Sequence, residues 1–356
     1  MPLTGNWEQN VRKVVPYVPG EQPKDTDVIK LNTNENPYPP APEVRRILDE
    51  FNESDMRLYP DPEADVLVSA LAENYGLDKS QIFVGVGSDD VIAMAYMTFF
   101  NSDKPVLFPD ITYSFYDVWA EVFRIPYETK PLTADLRIDP ADYICENGGI
   151  IFPNPNAPTG VYESLDTVEA IIKANPDSVV IVDEAYIDFG GESCLPLINK
   201  YENLLVVQTF SKSRSMAGMR IGFAMGNEKL IKFMNDVKFS VNSYTMNRVT
   251  QICGAAAVRD KAYFEETVNR IIATRERTKK VLSDMGFTFP DSKSNFLFAK
   301  PPVKSAGEVF AELKKRRIFV RWWDKPLIRD YLRISIGTDE EMDRLFETLK
   351  EVLGIG

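Results

Sequence analysis

The hydrophobic residues of this chain are grouped into short uninterrupted runs, separated by segments with helical spacing. The runs 178–182 (SVVIV) and 204–207 (LLVV) contain no charged residue, so both faces of these strands are predicted to be buried. Similar runs occupy 81–86, 105–108, 149–152 and 221–224. Residues 64–75 and 91–100 place apolar side chains at helical spacing. This alternation predicts an α/β fold, with a mainly parallel central sheet and helices on both faces.

The hydrophobic pattern changes after about residue 245. Two stretches with helical spacing and many charges, at about 247–285 and 306–316, surround short strands at 295–298 and 331–335. Helices mixed with a few strands predict a smaller α+β domain. The N-terminal residues, rich in proline, asparagine and other polar residues, are predicted to be an arm that packs with the small domain and a dimer partner. The predicted division is therefore an arm (1–40), a large domain (41–245) and a small C-terminal domain (246–356).

The composition limits the chemistry available to the protein. The 356 residues carry 41 basic and 53 acidic side chains, a net charge of −12, which argues against nucleic acid or an anionic membrane as the main partner. There is no histidine, which excludes histidine-dependent triads, histidine bases and nearly all common zinc sites, so no metal site is predicted. Three scattered cysteines, and an N-terminus without the apolar core of a signal peptide, favour a reducing, cytoplasmic setting.

Residues with useful chemistry follow the predicted strands. In open α/β sheets, ligands bind beyond the carboxyl ends of the strands. Gly87-Ser88-Asp89 follows the first strand and opens a helix, whose free N–H groups would attract a phosphate. Other candidates follow the later strands in the same way. The candidate residues, in chain order, are Ser88, Asp89, Tyr113, Asn156, Asp183, Tyr186, Thr209, Ser211, Lys212 and Arg220.

Each of these features also has an ordinary structural interpretation. Gly87-Ser88-Asp89 is typical of a helix N-cap, Tyr113 of a core or surface tyrosine, and 154–160 (NPNAPTG) of a tight turn. Lys212 alone would be a solvated lysine, and Arg214 beside it is interpreted as a surface charge. Together at one sheet edge, however, a phosphate cup, an aromatic ring, a strand-end carboxylate and a lysine are what pyridoxal phosphate requires.

Six motifs follow one another along nearly the whole chain: LNTNENPYPP, GVGSDD, NPNAPTG, VDEAYIDF, TFSKSRSMAGMRIG and LRISIGT. Each is modest alone, but their combination and order are specific. With them the sequence resembles the aspartate aminotransferase superfamily (fold type I) and, within it, most of all the histidinol-phosphate aminotransferase family. The resemblance implies a pyridoxal 5′-phosphate-dependent transaminase of histidine biosynthesis. Its substrates would be histidinol phosphate or imidazole-acetol phosphate, with glutamate and 2-oxoglutarate as the other pair.

The resemblance also implies roles around the cofactor. Lys212 would be the Schiff-base lysine that moves the proton between substrate and cofactor, Asp183 would pair with the pyridine nitrogen, and Tyr186 would hydrogen-bond the ring oxygen O3′. Tyr59, in RLYPDP, matches a tyrosine lent to the neighbouring subunit's phosphate, which implies a homodimer. The other implied cofactor contacts are Tyr113 on the ring and, at the phosphate, Ser88 and Asp89 by their backbone, Thr209 or Ser211, and Arg220.

For the substrate, the resemblance implies that Arg333 grips the α-carboxylate of glutamate with a bidentate fork. Histidinol phosphate has no such carboxylate, and its phosphate would be met by Arg321 in FVRWWDKP, with Tyr17 and Asn34 nearby. The alternative for Arg321 is a surface charge beside two tryptophans.

One position departs from the family pattern. The residue before Pro-Thr-Gly is usually an asparagine that donates to O3′, whereas this chain has Ala157. Either Asn156 replaces this donor, or Tyr186 makes the contact alone.

Other functions are kept as alternatives. An aromatic amino acid aminotransferase would also suit the aromatic residues of the predicted site, and a threonine-phosphate decarboxylase-like enzyme would use Arg333 to hold a departing carboxylate. A cofactor-binding transcriptional regulator would need a DNA-binding module, for which the first 40 residues have no pattern. A nicotinamide dehydrogenase is disfavoured because Gly85-x-Gly87 continues to Asp90 instead of a third glycine.

Overall fold

The computed structural model describes residues 7–25 and 27–355, and this part of the chain contains eleven strands and ten α-helices. The strands are β1 (Ile29–Lys30), β2 (Ile82–Gly85), β3 (Val106–Pro109), β4 (Tyr127–Lys130), β5 (Gly149–Pro153), β6 (Val180–Asp183), β7 (Leu204–Thr209), β8 (Gly222–Gly226), β9 (Phe296–Ala299), β10 (Ile318–Phe319) and β11 (Leu332–Ser335). The α-helices are α1 (Pro42–Glu50), α2 (Asp65–Tyr75), α3 (Ser88–Phe99), α4 (Tyr116–Phe123), α5 (Leu165–Ala174), α6 (Glu228–Val241), α7 (Arg248–Arg259), α8 (Lys261–Asp284), α9 (Ala306–Lys315) and α10 (Asp339–Leu353).

Seven strands form the central sheet, in the order β2-β8-β7-β6-β5-β3-β4. Strand β8 runs antiparallel to both of its neighbours, and the other pairs are parallel. The prediction of a mainly parallel sheet is therefore confirmed. In the register of β6 and β7, Asp183 lies opposite Val207. This register brings Asp183 and the segment that follows β7 to the same edge of the sheet.

Alternate side chains of the strands inside the central sheet enter two different cores. In β6, Val180 and Val182 pack with helices α2, α5 and α7, whereas Ile181 packs on the opposite face with α3, α4 and α6. All three side chains are fully buried. The central strands therefore read as continuous apolar runs because both of their faces are covered, as predicted.

A third core lies in the C-terminal part of the chain, where α8, α9 and α10 pack with β9, β10 and β11. Ile29 and Leu31 belong to this core because β1 pairs in parallel with β10. Helix α7, in contrast, packs Cys253 and Val258 into the core against the central sheet. The three-part division at residues 40 and 245 stays a prediction.

The helical pattern at 247–285 is two helices instead of one. Helix α7 ends at Arg259 and α8 begins at Lys261. Asp260 lies between them, and its side chain accepts a hydrogen bond from the Tyr263 backbone N–H. An aspartate at this position favours a new helix start over continuation of the old one. None of the described helices has the length and apolar content needed to cross a membrane.

Candidate active site

The polar residues predicted from the sequence collect at one edge of the central sheet. Asp183 is the last residue of β6, and Lys212 follows the end of β7 at Thr209. Strand β2 is antiparallel to β8, which is antiparallel to β7, so β2 ends at this same edge. Helix α3 begins there at Ser88. The carboxyl ends of these strands thus assemble the candidate site.

Asp183 is a buried carboxylate that neutral donors hold in place. Its Oδ2 accepts a hydrogen bond from the Tyr116 hydroxyl at 2.9 Å, and its Oδ1 accepts one from the Ala185 backbone N–H at 3.1 Å. Burial raises the pKa of Asp183 to about 6, although both donors and the charge of Lys212 lower it. A cationic partner would therefore stabilise the ionised form of Asp183.

Lys212 is half-buried and is fixed by the N-terminal part of the chain. Its Nζ donates to the Thr33 carbonyl at 3.0 Å and lies 5.7 Å from the centre of the Tyr186 ring. Its own backbone carbonyl accepts a hydrogen bond from Asn36 Nδ2 at 3.0 Å. Both ends of Lys212 therefore contact residues 32–36, which we call the N-terminal strap.

The N-terminal strap also contacts three other residues of the site. Asn34 Nδ2 donates to the Tyr186 hydroxyl at 3.0 Å, while Asn34 Oδ1 accepts from the Ser335 hydroxyl at 2.9 Å. The Asn32 carbonyl accepts a hydrogen bond from Arg333 Nη2 at 3.0 Å. Asn34 adopts a left-handed backbone conformation (φ 57°), which asparagine tolerates well. The carboxamide of Asn34 is thus engaged in holding Tyr186 and Ser335.

A cradle for an anion lies where α3 begins. The backbone N–H groups of Ser88 and Asp89 are in the first turn of α3, where a helix offers them no acceptor. The Arg220 guanidinium lies against Gly87, where a Cβ atom would be 2.4 Å from Nη2. A Cβ atom on Gly222 would be 2.3 Å from the Ser88 nitrogen. Glycine at both positions therefore allows Arg220 and the helix N-terminus to converge.

Side chains around the cradle hold one another. Arg220 Nη2 donates to Asp89 Oδ2 at 3.2 Å, and the Tyr113 hydroxyl donates to Asp89 Oδ1 at 2.8 Å. The hydroxyl oxygens of Thr209 and Ser211 lie 3.0 Å apart. Asp89 thus positions both Arg220 and the Tyr113 ring through its side chain.

A cavity of about 590 Å³ adjoins these residues, and its lining includes Tyr17, Tyr113, Trp323 and Arg333. Arg333 is half-buried, desolvation lowers its pKa, and its buried Nε has no hydrogen-bond partner among the described residues. A buried cation of this kind is stabilised by an anionic ligand.

Arg321 lies close to Arg333. The guanidinium carbons of both arginines are 5.2 Å from the centre of the Trp323 ring. Arg321 donates to the backbone carbonyls of Val18 and Pro19 at 3.0 and 3.2 Å. Two cationic groups therefore lie near the same tryptophan ring, and Trp323 and Arg333 line the cavity.

Tyr59 and Asn156, two predicted cofactor residues, contact other residues of the chain. Tyr59 is 79% exposed, and its ring packs against Tyr244 at a centroid distance of 4.7 Å. Asn156 is buried, and its Nδ2 donates to the Ile111 carbonyl and the Thr159 hydroxyl, each at 3.0 Å. Because these bonds engage both amide hydrogens, Asn156 has no free donor for a ring oxygen.

The prediction that Arg214 is a surface charge is wrong. Arg214 is buried, its guanidinium carbon lies 4.2 Å from the centre of the Phe264 ring, and its Nη1 donates to the Ala257 carbonyl at 3.2 Å. A planar guanidinium is weakly hydrated and stacks well on aromatic rings, so it can occupy such a position. Arg214 thereby anchors the loop that carries Lys212 to α7 and α8.

Sequence reasoning also misses Tyr116, Thr33 and Asn36. Tyr116 had a detectable signal, since it follows the candidate residue Tyr113 by three residues. Thr33 contributes a backbone carbonyl, which any residue could supply, so no side-chain pattern reveals it.

The donors at this edge fit pyridoxal phosphate. Asp183 offers a buried carboxylate to a cationic ring nitrogen, the cradle at α3 offers an arginine and helix N–H groups to a phosphate, and Lys212 offers a primary amine to an aldehyde. Because glycine occupies positions 87 and 222, no Cβ atom separates the Arg220 guanidinium from the helix N-terminus.

Comparisons with known proteins agree with this geometry. The family "Aminotransferase class I and II" matches residues 26–349. Histidinol-phosphate aminotransferase from Lactococcus lactis subsp. cremoris is 49% identical over 348 residues, 98% of each chain. The enzyme of that name from Clostridium acetobutylicum is 50% identical over 347 residues, 98% of this chain and 99% of the other.

A solved structure, histidinol-phosphate aminotransferase from Sinorhizobium meliloti in complex with pyridoxal-5′-phosphate, matches with a TM-score of 0.83 at 24% identity, over 92% of this chain and 91% of the other. This likeness confirms the predicted fold. The chain therefore belongs to the class I and II aminotransferases, the pyridoxal-phosphate-dependent transaminases of fold type I.

Proposed function

We propose that this aminotransferase interconverts histidinol phosphate and imidazole-acetol phosphate, with glutamate and 2-oxoglutarate as the second pair, in histidine biosynthesis. The observation that carries the proposal is the pair of guanidinium groups, Arg333 and Arg321, which both lie 5.2 Å from the centre of the Trp323 ring. Glutamate brings an α-carboxylate to the site, whereas histidinol phosphate brings a phosphate. The near 50% identity to proteins named for this reaction supports the same substrate pair.

Lys212 is proposed to hold and move the proton at the substrate Cα. Pyridoxal phosphate, when bound, supplies an electron sink for the charge that this proton leaves behind. Asp183 keeps the ring nitrogen positively charged, and Tyr186, oriented by Asn34, donates to the ring oxygen. The remaining proposed cofactor contacts are Tyr113 on the ring and, at the phosphate, Ser88, Asp89, Thr209, Ser211 and Arg220.

Arg333 is proposed to grip the α-carboxylate of glutamate, and Arg321 the phosphate of histidinol phosphate. Arg321 would exchange its bonds to the Val18 and Pro19 carbonyls for stronger, charge-assisted bonds to the phosphate. Tyr17 lies in the same cavity, and burial raises the pKa of its hydroxyl, which keeps it a neutral donor. These proposed contacts would give each of the two arginines near Trp323 its own anionic group.

The substrate proposal predicts a clear preference in steady-state assays. With glutamate as donor, kcat/KM for imidazole-acetol phosphate should exceed that for phenylpyruvate by about 10²-fold or more, because phenylpyruvate leaves the phosphate-binding groups unpaired. A preference for phenylpyruvate would instead establish the aromatic aminotransferase alternative. Release of carbon dioxide from threonine phosphate would establish the decarboxylase alternative.

A homodimer is proposed from the surface around Tyr59. Met56, Leu58, Tyr59 and Tyr244 are all large apolar side chains with substantial exposure. Burial of such a patch against a second copy would bring the Tyr59 hydroxyl to the partner's phosphate cradle.

Sedimentation analysis should therefore give twice the chain mass. Tyr59→Phe should stay dimeric but bind pyridoxal phosphate several-fold more weakly, since a hydrogen bond to a charged group is lost. A monomer with wild-type activity would contradict this assembly.

We also propose a cytoplasmic location. Cys145, Cys194 and Cys253 are all free thiols, which suits a reducing compartment. Fractionation of the producing cells tests this point, and recovery of the protein outside the cytoplasm would contradict it.

A further inference from the structure

Tyr116 contacts Asp183 but has none of the roles assigned above. It is the first residue of α4 and is completely buried. Its hydroxyl donates to Asp183 Oδ2 at 2.9 Å. Its ring packs edge-on against Phe108 and Tyr113, with centroid distances of 5.9 and 5.8 Å. These contacts fix the hydroxyl group against one oxygen of the carboxylate without any help from a ligand.

We propose that Tyr116 is a positioning residue that orients the Asp183 carboxylate and keeps it ionised, so that Asp183 can pair with the pyridine nitrogen of pyridoxal phosphate. The inference rests on the proposed role of Asp183. Tyr116 itself makes no contact with the substrate in this arrangement. The Ala185 N–H holds the other carboxylate oxygen, so the two donors together set the plane of the group.

Burial and hydrogen bonding determine the direction in which this pair acts. Burial raises the pKa of Tyr116 well above its usual range, so the phenol stays a neutral donor near neutral pH. Around Asp183, burial and the nearby Asp89 carboxylate raise the pKa, whereas Tyr116, the Ala185 N–H and Lys212 lower it. Tyr116 is the strongest of the groups that favour the ionised form.

The sign of the expected pH effect follows from this balance. Asp183 must be ionised to hold a positively charged ring nitrogen, so cofactor affinity should fall as the pH drops through the pKa of Asp183 in the cofactor-free protein. Removal of the Tyr116 hydroxyl raises that pKa. The loss of affinity on acidification should then begin at a higher pH.

The test is a titration of the full-length chain with pyridoxal phosphate, followed by cofactor absorbance, from pH 5.5 to 8.5. Tyr116→Phe removes one oxygen atom and keeps the ring. Tyr96→Phe is the matched control, because Tyr96 is also completely buried, lies on neighbouring α3, and has a hydroxyl without a hydrogen-bond partner among the described residues. The cofactor's own titratable groups affect the wild-type protein and both variants equally, so they do not produce a difference between the affinity profiles.

For Tyr116→Phe, the acid limb of the affinity profile should move up by about one pH unit, with about tenfold weaker binding near pH 6, as expected for loss of a hydrogen bond to a charged group. The affinities of Tyr116→Phe and wild type for pyridoxal phosphate should become equal toward pH 8.5. Tyr96→Phe should follow the wild-type curve. A Tyr116→Phe profile that coincides with wild type, or that is weakened equally at every pH, would overturn the proposal.

Two further measurements distinguish the loss of the Tyr116 hydrogen bond from a change in side-chain packing. In an Asp183→Asn background, which has no carboxylate to titrate, Tyr116→Phe should cause no additional pH shift. A 3-fluorotyrosine at position 116 keeps the hydroxyl and makes it a stronger donor, so the loss of affinity on acidification should begin at a lower pH. A loss that begins at a higher pH would count against the proposal. Wild-type protein that binds pyridoxal phosphate but does not transaminate imidazole-acetol phosphate would overturn the proposed substrates, and would leave the Tyr116 comparison intact.

Discussion

Lys212→Ala should lower kcat for transamination by about 10⁴-fold, the upper range for loss of a positioned general base. The same change should remove the covalent adduct that borohydride fixes between the protein and pyridoxal phosphate. The structural reason is that Lys212 supplies its amine at the sheet edge where Asp183 and the anion cradle converge, with its backbone fixed by Asn36 and its Nζ bonded to Thr33. Mass spectrometry of the borohydride-treated protein and a coupled transaminase assay would measure both losses.

The control for this variant is Lys229→Ala. Lys229 is an exposed lysine on α6 that pairs with Glu202 at the surface, so its loss should change neither the adduct nor the rate. Cofactor should still bind Lys212→Ala without a covalent bond, because Asp183 and Arg220 remain. If Lys212→Ala keeps both the trapped adduct and its activity, the proposed chemistry is wrong.

Arg333→Ala should separate the two half-reactions. With glutamate, kcat/KM should fall by about 10²-fold, because the variant lacks the half-buried guanidinium proposed to form two charge-assisted bonds to the α-carboxylate. With histidinol phosphate, which has no carboxylate, the loss should stay below about tenfold. Arg321→Ala should give the opposite pattern, since its proposed ligand is the phosphate. Single-turnover measurements of each half-reaction, followed by cofactor absorbance, would resolve the two effects.

Arg333→Lys is the informative companion variant. It keeps the positive charge but loses the planar fork, so the glutamate half-reaction should recover only in part. Equal losses in both half-reactions for Arg333→Ala and Arg321→Ala would refute the assignment of the glutamate carboxylate to Arg333 and of the phosphate to Arg321.

The sequence predicts the sheet well because each central strand has both faces buried. The run that ends at Asp183 and the run that precedes Lys212 are continuous and apolar, and the rule that ligands lie beyond the carboxyl ends of strands places both residues at one edge. The helix that begins at Ser88 is equally clear from its glycine and first-turn carboxylates. Their chemical roles stay predictions, but their location in the fold follows from local patterns alone.

Local patterns do not reveal contacts between distant segments. The sequence near Arg214 predicts a surface charge because its actual partners, the ring of Phe264 and the carbonyl of Ala257, lie far along the chain. The engagement of Asn34 with Tyr186 and Ser335 depends on the pairing of β1 with β10, two short strands with no distinctive pattern. Burial of Tyr116 against Asp183 likewise requires that α4 be docked on the sheet.

Two contact partners of the N-terminal strap are synthesised much later than the strap itself. Asn32 and Asn34 leave the ribosome early, whereas Arg333 and Ser335 are each 301 residues farther along the chain. At roughly 5–20 residues per second, these partners are synthesised about 15 to 60 s later. The central sheet, Tyr186 and Lys212 are already synthesised during this interval, but Arg333 and Ser335 gain their strap contacts only near the end of translation. A ribosome that stalls before β11 would therefore display a folded sheet with an unfinished catalytic site.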